Sequence, residues 1–348
     1  MLKSLILLST VCTLALPAPA AAQSGADARE RARELAQERA DRTRELAQER
    51  ADRARERAQE RAERDRDRAQ ERREREKAGS LDTVVTFDAR GSLSVSCPGG
   101  SVVVTGAERN EIRVHARTEN GGIRFTSSGT RASLEPSSGR GCSDGHFELT
   151  VPSGTKVSAT TWSGSVSVRG VRGDIEAHAQ SGDVQVHDAG ERLDIETLSG
   201  DVIVAGVKGE STINTVSGGI TLSGARGDVT AESVSGDLDL RDVVARQIRT
   251  HTTSGDISFL GAILDAGRYE FTTHSGEVTL SLPGDIGAEL SVSTFNGGIE
   301  SDFPITLKAG EHGIGAAQAK RLSFTVGRGT ARIIAETFSG DITLKRRR

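Results

Sequence analysis

From residue 81 onward, apolar and polar positions alternate in short runs broken by turn residues. T-V-V-T-F (83–87), L-S-V-S-C (93–97), S-V-V-V-T (101–105) and I-R-V-H-A (112–116) read as short strands. After Val151-Pro152-Ser153-Gly154 the pattern becomes periodic. Gly164, Gly182, Gly200, Gly218 and Gly236 lie eighteen residues apart, and Gly255, Gly276, Gly297 and Gly340 continue the series with longer connections. Most are embedded in Ser-Gly-Asp followed by two apolar residues at alternate positions, as in S-G-D-V-Q-V and S-G-D-I-T-L. A second punctuation at Gly173, Gly209 and Gly227 falls half a period later, so each unit holds two short strands and two turns.

Aligned by this period, the units form columns. Val166, Val184, Val202, Ile220, Leu238 and Ile257 make one; Val168, Val186, Val204, Leu222, Leu240 and Phe259 make the next. The other strand contributes Ala177, Ile195, Ile213 and Ala231, then Ala179, Thr197, Thr215 and Ser233. Spacing of two puts both members of each pair on one face. One unit cannot bury that face alone, but stacked units can. The expected fold is all-β, a single-stranded β-solenoid (β-helix) of about 18-residue coils. At about 4.8 Å per coil, roughly ten to thirteen coils would form a rod of about 50–60 Å.

Residues 23–78 differ in kind. They are dominated by Arg, Glu, Asp, Ala and Gln, with an eleven-residue repeat at Arg33–Thr43 and Arg44–Ala54. The repeat sets Glu38 against Arg42, Glu49 against Arg53, Glu60 against Arg64 and Glu71 against Arg75. Such i,i+4 pairs add about 0.2–0.5 kcal/mol each to a helix. A long charged α-helix, a solvated stalk or spacer, is expected before the solenoid, with disorder and a weak Ala-seam coiled coil as the alternatives. Leu35 and Leu46 are too thin an apolar seam to specify a coiled coil.

The first 22 residues read as an export signal, with Lys3, an apolar run from Leu5 to Leu16 and the small-residue ending Ala20-Ala21-Ala22. The run is too short to span a bilayer core of about 30 Å, and no later segment reaches that length. Cys12 raises a lipoprotein alternative, disfavoured because Val11 precedes it where a small residue belongs. The expected organisation is a signal peptide at 1–22, a charged helix at 23–78 and the solenoid at 79–348, placed in the periplasm or at the cell surface. Cleavage leaves Cys97 and Cys142, a candidate structural disulfide in an oxidising compartment, with two unpaired thiols as the alternative.

Net charge is -4 with acids and bases interleaved, which argues against nucleic acid as partner. Aromatics are 3% of residues, with one Trp and one Tyr, too few for a thick mixed core. At the Ser-Gly-Asp corner, Gly supplies positive φ while Ser and Asp bond to backbone. The competing reading is a cation ladder of Asp183, Asp201, Asp237 and Asp256. Gly219 and Ser165 interrupt it, and the G-G-x-G-x-D signature of calcium β-rolls is missing. No metal, cofactor or catalytic residue is therefore assigned.

A polysaccharide-acting enzyme is the alternative, but paired carboxylates can be drawn anywhere on such a ladder. The aromatics available to a sugar cleft are Trp162, Tyr269, Phe295 and Phe338. Trp162, Phe295 and Phe338 share a column with Leu198, Val216 and Val234, which reads as a packed corner. His178 and His251 share another column, four units apart. The terminal Lys345-Arg346-Arg347-Arg348 reads as charge protecting an open strand edge, with membrane or lipopolysaccharide contact as the alternative.

V-P-S-G-T-K-V (151–157), the successive S-G-D-V-x-V units and G-R-G-T-A-R-I-I-A-E-T-F-S-G-D-I-T-L (327–344) carry a resemblance. Over about residues 81–348 the chain resembles the bacterial putative adhesin family of exported β-repeat domains. The resemblance implies a β-solenoid at the cell envelope and supplies no catalytic residue. The reading is a non-enzymatic envelope protein offering a rigid surface to an envelope protein, a polysaccharide or another surface. A polysaccharide-acting enzyme is one alternative. A periplasmic sensor or assembly factor working through the charged helix is the other.

Overall fold

Alternating residues that cannot bury their apolar face within one coil bury it between coils, and the second half of the chain is built this way. The computed structural model describes residues 79–119, 121–137, 144–304 and 320–347, with 42, 48, 52, 53, 55–57, 59–64 and 66 before them. The chain divides into two compact units, Met1–Glu71 and Arg72–Arg348. In the first, every described residue is helical, and Glu60 pairs with Arg64 at 3.9 Å as the repeat spacing requires. The long helix expected over 23–78 is nonetheless not seen: the longest unbroken described run is 59–64, and the remaining positions lie outside the described residues. So do the 1–22 segment and Cys142.

The second unit is all-β, a solenoid-like stack in which each coil gives one strand to each of two parallel ladders. In the first ladder Lys156–Ser163, Ile175–Ser181, Arg192–Ser199, Glu210–Ser217 and Val229–Ser235 lie side by side. In the second, Val166–Arg169, Val184–His187, Val202–Ala205 and Ile220–Ser223 do the same. Register holds at eighteen residues: Val184 faces Val166 and Val202, and Ile195 faces Ala177 and Ile213. The strands Leu238–Ser254 and Ile257–Ser275 each run through both ladders.

Like therefore stacks on like, and the inward columns are fully buried, from Val166 to Ile257 and from Val168 to Phe259. A further inward column, Val171, Ala189, Val207, Ala225 and Val243, closes the third side of each coil. Each buried Val, Ile or Leu contributes about 1.5–3 kcal/mol, so the repeat is its own core.

Two coils are longer, and their extra residues show as register shifts between Arg241 and Val243 and between Ala245 and Gln247. Tyr269 fills the widened interior beside Phe259, whose ring centroid lies 6.4 Å away. Its hydroxyl donates to the Ala245 carbonyl at 2.9 Å and accepts the Leu264 N–H at 2.8 Å.

Sequence order and stacking order part at the end of the chain. Ala331–Ser339 pairs with Ile257–Ser275 on one side and Ala288–Asn296 on the other. Ile342–Arg347 lies between Val278–Pro283 and Ile299–Ser301. The last coil of the sequence is thus inserted between two coils that precede it.

The edge-protection reading of the basic tail is corrected by this insertion. Lys345, Arg346 and Arg347 pair with Ser281, Leu282 and Pro283 on one side, and the strand they end lies inside the stack, not at its end. The Arg346 N–H donates to Asp302 Oδ2 at 3.1 Å and its guanidinium to the Gly284 carbonyl at 3.2 Å. Antiparallel strands close the stack instead. Lys320–Val326 covers Ala288–Asn296 at one end; Ile123–Ser127 and Glu111–Thr118 cover Arg131–Pro136 and Gly145–Pro152 at the other.

Candidate functional site

The Ser-Gly-Asp corner is a stacking device. Gly182 has φ 138°, and a Cβ there would sit 2.2 Å from the Gly164 carbonyl oxygen, so both conformation and contact demand glycine. Gly297 is the exception in conformation, since its φ is not in the left-handed range, yet a Cβ on it would lie 2.0 Å from the Gly340 oxygen. The aspartates act between coils. Asp183 Oδ1 accepts the Asp201 N–H at 3.0 Å, Asp201 the Gly219 N–H at 2.8 Å, and Asp237 the Asp256 N–H at 2.8 Å. Asp256 accepts the Glu277 N–H at 2.7 Å. The acidic column that suggested a cation ladder therefore satisfies backbone donors of the next coil.

Buried hydroxyls serve the same corner from within. Thr252, Thr273, Thr337 and Thr294 donate to the carbonyls of Gly236, Gly255, Gly276 and Gly340 at 3.0–3.2 Å. Thr161, Thr197 and Thr215 occupy the same column, buried and without a hydrogen-bond partner among the described residues.

The next residue in each strand points outward, which overturns the packed-corner reading. Trp162 is 67% exposed, and Leu198, Val216, Val234, Phe338 and Phe295 are each about half exposed. Toward one end the rings of His274, Phe338 and Phe295 stack, with centroids 4.9 and 4.8 Å apart. Tyr269, grouped with these aromatics by sequence, is buried. These side chains form a mainly apolar ridge along one ladder.

Beside the ridge runs an open groove of about 550 Å³. Trp162, Gln180, Leu198 and Val216 form one rim; Thr160, His178, Glu196 and Asn214 form the other. His178 Nδ1 lies 3.1 Å from Glu196 Oε2. The register places His178 and His251 in one column, as the spacing indicated, with Glu196, Asn214 and Glu232 between them.

One arrangement was missed by sequence reasoning. Ser101 Oγ lies 2.7 Å from His146 Nδ1, and His146 Nε2 lies 3.0 Å from Glu148 Oε1. The bond from His146 holds the Glu148 carboxyl below its ordinary range. Acyl transfer at a serine needs a free donor for the developing oxyanion. Here the N–H of Val102, next to the serine, donates to the Ser165 carbonyl at 2.9 Å. Ser101, His146 and Glu148 act as a bridge between two strands. Among the described residues, no group of three or more His, Cys, Asp or Glu is placed to hold a metal ion.

Two solved structures are similar. A putative cell adhesion protein from Clostridium sporogenes is 9% identical, with 77% of this chain and 100% of that chain covered and a TM-score of 0.21. A putative adhesin from Bacteroides fragilis is 10% identical, with 76% and 96% covered and a TM-score of 0.32. No curated protein matches the chain. The family model described as Toastrack DUF4097 matches residues 99–345, and the chain belongs to that family.

Proposed function

We propose that the protein is an exported, non-enzymatic binding protein of the cell envelope, a single-stranded β-solenoid that makes contact through its exposed apolar column. The observation that carries this is the outward placement of Trp162 and, in three successive coils, of Leu198, Val216 and Val234. Removing such side chains from water contributes about 25 cal/mol per Å², and the fold does not require apolar residues at these outward positions. The organisation argued from sequence is retained: a signal peptide at 1–22, a charged spacer at 23–78 and the β-domain at 79–348. So is a Cys97–Cys142 disulfide, in keeping with the burial of Cys97.

The test is retention of purified protein on isolated envelopes. Leu198→Asp with Val216→Asp abolishes retention while leaving the thermal unfolding midpoint near that of the parent. Undiminished retention would refute the reading.

A further inference from the structure

We infer that the groove beside the apolar column binds a glycan chain of neutral or amino sugars laid along the stacking axis, an inference that rests on the column being a contact face. Each coil presents one group to each rim, Leu198 opposite Glu196 and Val216 opposite Asn214. A sugar ring has the same division, with C–H faces that pack on apolar surface and hydroxyls at the edge that bond to polar side chains. The Trp162 indole stands 67% exposed at a position where other coils manage with Gln180 or Leu198, so packing does not require it.

Repetition and charge narrow the class. The rungs recur at about 4.8 Å, so the groove offers repeated equivalent contacts to a polymer. Glu176, Asp194 and Glu196 lie on these coils, and the cations there are paired: Lys156 Nζ with Glu176 at 2.6 Å and Arg192 with Glu210 at 3.2 Å. A polyanion is repelled. A peptide that binds by strand addition needs an unpaired edge, and the strands here are paired on both sides.

Trp162 is the sole tryptophan, so its emission reports on the groove directly. Titration of the full chain with soluble N-acetylglucosamine or glucose oligomers shifts the emission to shorter wavelength and saturates. His178→Ala and Asn214→Ala each weaken binding roughly tenfold, the equivalent of about 1.4 kcal/mol. Leu198→Asp removes it, with Trp162 still present to report. A shift unaltered by these substitutions, or tighter binding of an anionic oligosaccharide, overturns the inference. No shift with either oligomer, while envelope retention still depends on Leu198 and Val216, overturns the glycan and leaves the contact face. Loss of both dependences removes the contact face as well.

Discussion

The Asp256 carboxylate accepts the backbone N–H of Glu277 at 2.7 Å, one coil further along the stack. Asp183, Asp201 and Asp237 make the same bond, and it is missing where Gly219 replaces the aspartate. Gly219 has ordinary φ, and a Cβ there would meet nothing nearer than 3.5 Å. Gly219→Asp therefore supplies the missing acceptor for the Asp237 N–H and restricts the unfolded chain. A gain of about 0.5–1 kcal/mol is expected in urea unfolding. Asp256→Ala, by contrast, loses about 1 kcal/mol.

The buried hydroxyl column separates bonded from unbonded members of one series. Thr252 donates to Gly236, whereas Thr197 has no partner among the described residues. Thr252→Val costs about 1 kcal/mol, and Thr197→Val is neutral or stabilising, because it removes a buried hydroxyl that bonds to nothing. Equilibrium unfolding of the two variants measures the contrast.

Tyr269 is the sole tyrosine, and burial raises its phenol above the ordinary 10.0. Its folded-state value is the higher one, so its contribution is intact below about pH 10 and is lost as pH rises through the raised value. Between the unfolded and folded values stability falls by up to about 1.4 kcal/mol per pH unit. Tyr269→Phe abolishes this alkaline dependence. It also leaves the Ala245 carbonyl and Leu264 N–H without their partner, lowering stability at neutral pH by about 1–3 kcal/mol. Tyrosinate absorbance during alkaline titration reads the group directly.

The inserted last coil makes the chain's end structurally central. Deleting residues 328–348 removes the layer between Val278–Pro283 and Ile299–Ser301. Limited proteolysis of that deletion is expected to cut throughout 257–301. Fraying confined to the new terminus would contradict the insertion.

The repeat was legible in sequence because like residues stack at a fixed period, so the columns from Val166 to Ile257 announce the buried face. The exposure of Trp162 was legible too, by parity: Thr161 and its column face inward, so the following residue faces out. Sharing a column with Leu198 and Val216 suggested packing and hid that signal. Two features of the stack could not be read. The Ala331–Arg347 coil is as compatible with an end position as with an internal one, since every coil offers the same edge. A second left-handed column, Gly170, Asp188, Gly206, Gly224 and Asp242, mixes residue types and so escapes a search for glycine alone. The Ser101–His146 contact was hidden for another reason: it depends on the parallel register of Ser92–Ala107 with Gly145–Pro152, which lies ahead of the regular repeat.

Hydroxyl-radical footprinting of the protein on isolated envelopes tests the contact face most directly. Oxidation of Trp162, Leu198 and Phe338 is expected to fall on binding, while Ile203, 40% exposed on the other ladder, stays reactive. Protection of Ile203 with Trp162, Leu198 and Phe338 unchanged would contradict the account.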